Sequence, residues 1–163
     1  MAEMTVALPS VKRPAVQPLP HHYHVRLTGT PHGQARLSSP RLPDLPTASP
    51  PEFGGPGGAW SPEHLLLAAV ESCYLFTLRA VARASGLEFT SLDLASDGIV
   101  DREDGVTRFT EIVLRPRLTV GPGVDLDRAR RVLDKSERAC LVSASLKTPV
   151  RVEPDLTVDS LPA

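Results

Sequence analysis

Apolar positions along this chain fall into two periods. Between residues 62 and 84 they follow a helical pattern: Leu65-Leu66-Leu67-Ala68-Ala69-Val70 opens a stretch that stays apolar to Leu78 on nearly every side, interrupted by Glu71 and small polar residues. This spacing predicts a helix over 62–84, with Ser61 as N-cap, Pro62 at the first helical position, Glu63 matched to the positive end of the dipole and Gly86 as the stop. A second helical stripe, Ala129, Val132, Leu133, Ser136 and Cys140, predicts a helix from Asp125 to about residue 141, and places Cys140 inward on it. Arg128, Arg130, Arg131, Lys135 and Arg138 then form a solvated face, offset by Asp127, Asp134 and Glu137.

Alternation marks the strands. Tyr23, Val25 and Leu27 alternate with His22, His24 and Arg26 over 22–29, and Gly33 can turn that strand back into 34–38. Residues 91–101 and 106–120 read as a hairpin around Asp104-Gly105, with Pro116 implying an edge or a bulge in the second strand. A last strand over 150–158 completes the order strand-strand, helix, strand-strand, helix, strand. That order predicts an α+β domain with two principal helices on a mainly antiparallel sheet.

The first helix has a further consequence. A helix apolar all round must be covered all round, and one sheet in a chain of 163 residues cannot do that, so a second copy is expected on the open face as an obligate homodimer. Net charge −1 supplies no electrostatic footprint for nucleic acid or an anionic membrane. The apolar run 65–70 is far shorter than the ~20 residues of a bilayer span, and a cytoplasmic location is expected. Prolines punctuate the first twenty residues, so 1–20 is expected to be a mobile arm and 21–163 a single domain. A second proline cluster fills the connection 40–58, long enough to suggest a functional role or a bound partner.

The chemistry-bearing residues are few. The two cysteines, Cys73 and Cys140, each lie on the apolar side of a predicted helix, where they fit small buried hydrophobes as well as they fit a reactive thiol pair. His21, His22 and His24 form the one histidine cluster, without the further ligands a metal site needs. Phe53 and Trp60 flank the glycine-rich turn, where they can line an apolar pocket or pack the loop.

The run Gly54-Gly55-Pro56-Gly57-Gly58-Ala59-Trp60-Ser61-Pro62-Glu63-His64-Leu65-Leu66, with Cys73 ten positions after Glu63 and Cys140-Leu141-Val142-Ser143 later, resembles the osmotically inducible protein C and organic hydroperoxide resistance family. The resemblance covers roughly residues 50–158 and, more loosely, 22–38. It implies an intertwined α+β homodimer that reduces organic hydroperoxides, without a cofactor, and is reset by an external dithiol reductant. Carried onto this sequence, Cys73 is the peroxidatic thiol, Cys140 the resolving thiol and Glu63 the carboxylate that organises the site. A thiolate attacks the peroxide, becomes a sulfenic acid, and is trapped by the second thiol as a disulfide.

Two points qualify the carry-over. Ten helical residues rise about 15 Å, so Glu63 cannot touch Cys73 of its own chain and acts across the dimer or indirectly. The family's thiolate-stabilising arginine falls near Pro31 in one branch and near Pro51-Glu52 in the other, and neither position is arginine here. Arg36, on a predicted strand, or else Arg41 is the replacement expected; without one, Cys73 in an apolar setting should have a raised pKa. The alternative function is a noncatalytic protein of this fold that binds a small apolar ligand at the dimer interface.

Overall fold

The computed structural model describes residues 17–159; the expected mobile arm falls almost entirely outside them. In chain order the elements are β1 (Arg26–Thr28), β2 (Ala35–Ser38), β3 (Leu45–Thr47), α1 (Pro62–Ala84), β4 (Ser91–Glu103), β5 (Val106–Val120), α2 (Leu126–Arg138), α3 (Leu141–Ala144), β6 (Val150–Val152) and β7 (Asp155–Val158). One small antiparallel sheet has the order β1-β2-β3. The larger sheet centres on β5, which pairs antiparallel with β4 on one side and parallel with β6 and β7, end to end, on the other.

Local signals place α1. Ser61 is extended, and its Oγ accepts from the His64 N–H at 3.3 Å while lying 2.8 Å from His64 Nδ1. Gly86 ends the run at φ 60, a conformation that costs a glycine little. The β4–β5 hairpin turns at Asp104 (φ 51) and Gly105 (φ 79), the double positive φ of a type I′ turn.

The core lies between α1, α2 and the inner face of β5. Val70, Tyr74, Leu78 and Val81 of α1 meet Ile112, Leu114, Leu118 and Val120 of β5, together with Ala129, Val132 and Leu133 of α2. Where α1 crosses the hairpin, Gly98 permits close approach: a Cβ there would lie 2.5 Å from Phe109 Cε1 and 3.0 Å from Leu67 Cδ2. The opposite side of α1 is open in the single chain, with Phe76 62% exposed. The whole helix is long and apolar enough, by length and composition, to cross a membrane, which the six-residue run did not show.

Several expectations are corrected. Pro116 is at neither an edge nor a bulge; it sits in the central strand opposite Leu94, at the gap where β6 ends and β7 begins. Its missing N–H is tolerated there because no parallel neighbour asks for it. The bulge falls instead on β4 and β5 between Ile99 and Val100. The last strand is two strands, broken at Glu153-Pro154, and both run parallel to β5. The first strand shrinks to Arg26–Thr28, so His22 and His24 precede it, and Tyr23 and Val25 are exposed. An unexpected strand, β3, lies inside the proline-rich connection. The second helix stops at Arg138, and Cys140 is extended (φ −70, ψ 116) as the N-cap of α3.

Candidate active site

The two cysteines meet. Cys73 sits halfway along α1, half-buried, and α3 packs against that helix so that fully buried Cys140 lies beside it, both thiols being free. The break in the chain after Arg138 makes this possible: continuing α2 would have kept Cys140 on the α2 cylinder, whereas the extended residue swings the chain into α3.

The pair is electrostatically unequal. Burial pushes the Cys73 thiol up, but hydrogen bonding from the Val142 backbone N–H, the Cys140 thiol, the Thr77 hydroxyl and the Leu141 N–H outweighs it, and the net direction is down. These two backbone donors are among the first-turn groups of α3 that no helical carbonyl can satisfy. Cys140 moves the other way. Its burial raises the thiol, Ser143 lowers it through side chain and backbone, and the neighbouring Cys73 raises it again. The expectation that Cys73 without a guanidinium is raised is therefore overturned: amide and hydroxyl donors do that work.

Next to this pair, Tyr74 donates its hydroxyl to the Leu133 carbonyl at 3.2 Å, and burial, with Asp134, Glu137 and Cys140 nearby, pushes the phenol above its usual range. Leu141 is 73% exposed, as is Phe76 to 62%, and the Arg79 guanidinium lies 5.6 Å over the Phe76 ring.

Glu63 belongs to a different place. At the start of α1 it lines a cleft of about 420 Å³ with Leu27, Ala35, Thr47, Ala48 and Phe53, on the small sheet. Its Oε2 is buried with no hydrogen-bond partner among the described residues. Arg36 does not reach either group: its guanidinium pairs with Asp44 at 3.3 Å on the exposed side of the sheet. Arg41 is exposed, at φ 65 in the loop after β2. Of the two aromatics, Phe53 lines the Glu63 cleft, whereas Trp60 packs edge-on against His64 with ring centroids 6.3 Å apart. A single chain thus brings Cys73 and Cys140 together and leaves Glu63 about 15 Å further along α1. Ser143, whose buried hydroxyl finds no hydrogen-bond partner among the described residues, was visible in the sequence as part of the Cys140-Leu141-Val142-Ser143 run, but nothing local gave it a role.

A half-buried thiol of lowered pKa against a buried partner thiol, on an α+β scaffold of one long core helix and a β5-centred sheet, defines a dithiol protein. The family described as OsmC-like protein matches residues 55–155, and this chain belongs to it. An uncharacterised protein of Bacillus subtilis, YmaD, is 32% identical over 112 residues, 67% of this chain and 75% of the relative. The peroxiredoxin OsmC of Escherichia coli is 30% identical over 62% of this chain and 69% of its own. An organic hydroperoxide resistance protein of Xanthomonas axonopodis is 29% identical over 79% of this chain and 89% of its own. Among solved structures, an OsmC-like protein of unknown function from Vibrio cholerae superposes with TM-score 0.76 at 16% identity, covering 83% of this chain and 99% of that one. An organic hydroperoxide resistance protein from Legionella pneumophila gives 0.69 at 21% identity over 86% of this chain and 100% of that one.

Proposed function

We propose that this protein is a cysteine-based organic hydroperoxide reductase. The observation that carries the reading is the meeting of Cys73 and Cys140, 67 positions apart in sequence, with the more exposed thiol lowered and the buried one raised. A lowered pKa beside a second thiol is what a peroxidatic cysteine with a resolving partner requires. The Cys73 thiolate attacks one peroxide oxygen, the O–O bond breaks, the leaving alkoxide takes a proton, and the sulfur is left as a sulfenic acid. Cys140 then attacks that sulfur; an S–S bond forms, the S–O bond breaks, and hydroxide leaves with the Cys140 proton as water. An external dithiol reductant returns both thiols. Two free thiols suit a reducing compartment, and the cytoplasm is the location we assign.

The working unit in this reading is a homodimer. Support comes from the open face of α1 at Phe76 and from the buried Glu63 Oε2 that finds no donor among the described residues of its own chain. A second subunit covers the first and supplies the second. The apolar cleft at Glu63 favours a second reading, a noncatalytic protein holding a small apolar ligand where two copies meet.

The test is steady-state consumption of cumene hydroperoxide with a dithiol reductant, comparing the parent with Cys73→Ser and Cys140→Ser. Activity lost in Cys73→Ser, and a single turnover followed by overoxidation in Cys140→Ser, is the expected result. Equal consumption by the parent and Cys73→Ser overturns the enzyme reading and leaves the binding one.

A further inference from the structure

At the C-terminal end of α1 a cleft of about 970 Å³ opens between that helix, the segment that follows it and the start of α2. Arg79 and Arg83 of α1 and Arg128 of α2 line it, all three exposed. Among the described residues none of them pairs with a carboxylate. Arg79 and Arg83 lie one helical turn apart, where like charges repel. The dipole of α1 accounts for Arg83, since a cation suits the last turn of a helix. The same rule counts against Arg128, the third residue of α2, which stands at the positive end of its helix. Room is nevertheless made for it. Gly86 brings no side chain into the cleft, and a Cβ there would lie 3.1 Å from Arg128 Nη2.

Two acids border the cleft. Asp125 is occupied: its Oδ1 accepts from the Asp127 and Arg128 N–H groups at 2.9 and 3.1 Å, and its Oδ2 lies 3.7 Å from Arg131. Glu88 is uncommitted among the described residues. Three guanidiniums against that one carboxylate leave two positive charges in excess, beside apolar walls supplied by half-buried Phe89 and Val124. We propose that this cleft binds the dianionic phosphate of a phosphate monoester, whose organic part lies on Phe89 and Val124. Such a group carries about 1.5–2 negative charges at neutral pH and matches the excess, where a monocarboxylate leaves half of it uncompensated. Guanidinium suits it further, because its planar fork meets phosphate oxygens two at a time. The site is separate from the thiols, Arg83 standing ten positions beyond Cys73 on α1, about 15 Å of rise, and it requires nothing of the dithiol reading.

Isothermal titration calorimetry of the full chain at physiological ionic strength, with phenyl phosphate and with inorganic phosphate as probes, tests the proposal. One phenyl phosphate per chain is expected, bound more tightly than inorganic phosphate. Arg83→Gln and Arg128→Gln should each weaken it about tenfold, the loss of one charge-assisted hydrogen bond. Arg130→Gln, on the solvated face of α2 and outside the cleft, should leave it unchanged. Because Arg128 opposes the dipole of α2, Arg128→Gln should unfold in urea no more readily than the parent. No binding of phenyl phosphate overturns the proposal, as it would if a second copy closed the cleft. Equal weakening in Arg130→Gln overturns it by marking a diffuse surface field, and inorganic phosphate binding as tightly as the ester does so by denying the apolar walls a role. An Arg128→Gln protein that unfolds more readily and binds as before gives that arginine a structural role and overturns it too.

Discussion

Glu63→Gln tests the proposed dimer through one buried oxygen. In the single chain the carboxylate has two calculable consequences. As an acid in the first turn of α1 it stabilises the helix by about 0.3–1 kcal/mol through the dipole. Its buried Oε2, without a donor, costs about 1–3 kcal/mol. Removing the charge while keeping the shape therefore leaves the fold of the chain nearly unchanged or slightly steadier. In a dimer that donates to Oε2 the balance reverses. A charge-assisted hydrogen bond contributes about 1.5–3 kcal/mol, and a two-fold axis uses it twice, so dimerisation loses about 3–6 kcal/mol. That is roughly two to four decades in Kd. Sedimentation velocity across a concentration series reads the dimer, and urea unfolding well below the dimer Kd reads the chain. A Glu63→Gln protein that dimerises as tightly as the parent refutes the reasoning, as does a parent that is a stable folded monomer at micromolar concentration.

Two further outcomes are expected. Limited alkylation with iodoacetamide at neutral pH should label Cys73 before Cys140, because a lowered pKa enlarges the thiolate fraction more than it reduces intrinsic nucleophilicity, and Cys140 is both raised and buried; peptide mapping showing the reverse order contradicts this. The same sign makes the preference largest near neutrality, and it should shrink as the pH approaches and passes the ordinary thiol value. Gly98→Ala should lower stability by about 1–3 kcal/mol in urea unfolding, since the new methyl lands 2.5 Å from Phe109 Cε1, although alanine in a strand is otherwise the easier residue.

What the sequence alone determined was set by neighbours in the chain. Ser61, Pro62 and Gly86 bound α1 at both ends because capping and positive φ are properties of a few consecutive residues. Asp104-Gly105 likewise fixes the β4–β5 turn, and the Gly54–Leu66 run with its two cysteines carries the family. Tertiary structure decided what depends on distant partners. Cys140 continues the apolar spacing of α2, yet one extended residue after Ala139 takes it off that helix and against Cys73. Pro116 reads as an edge residue, but β6 and β7 leave a gap at its position and let it stand in the middle of the sheet. Arg36 offers a cation in the right region and spends it on Asp44. The lowered Cys73 thiol owes most to the backbone N–H of Val142, joined by the Cys140 thiol, the Thr77 hydroxyl and the Leu141 N–H. Backbone donors are possessed by every sequence and only a packed fold can aim them, because a hydrogen bond depends on where a donor ends up.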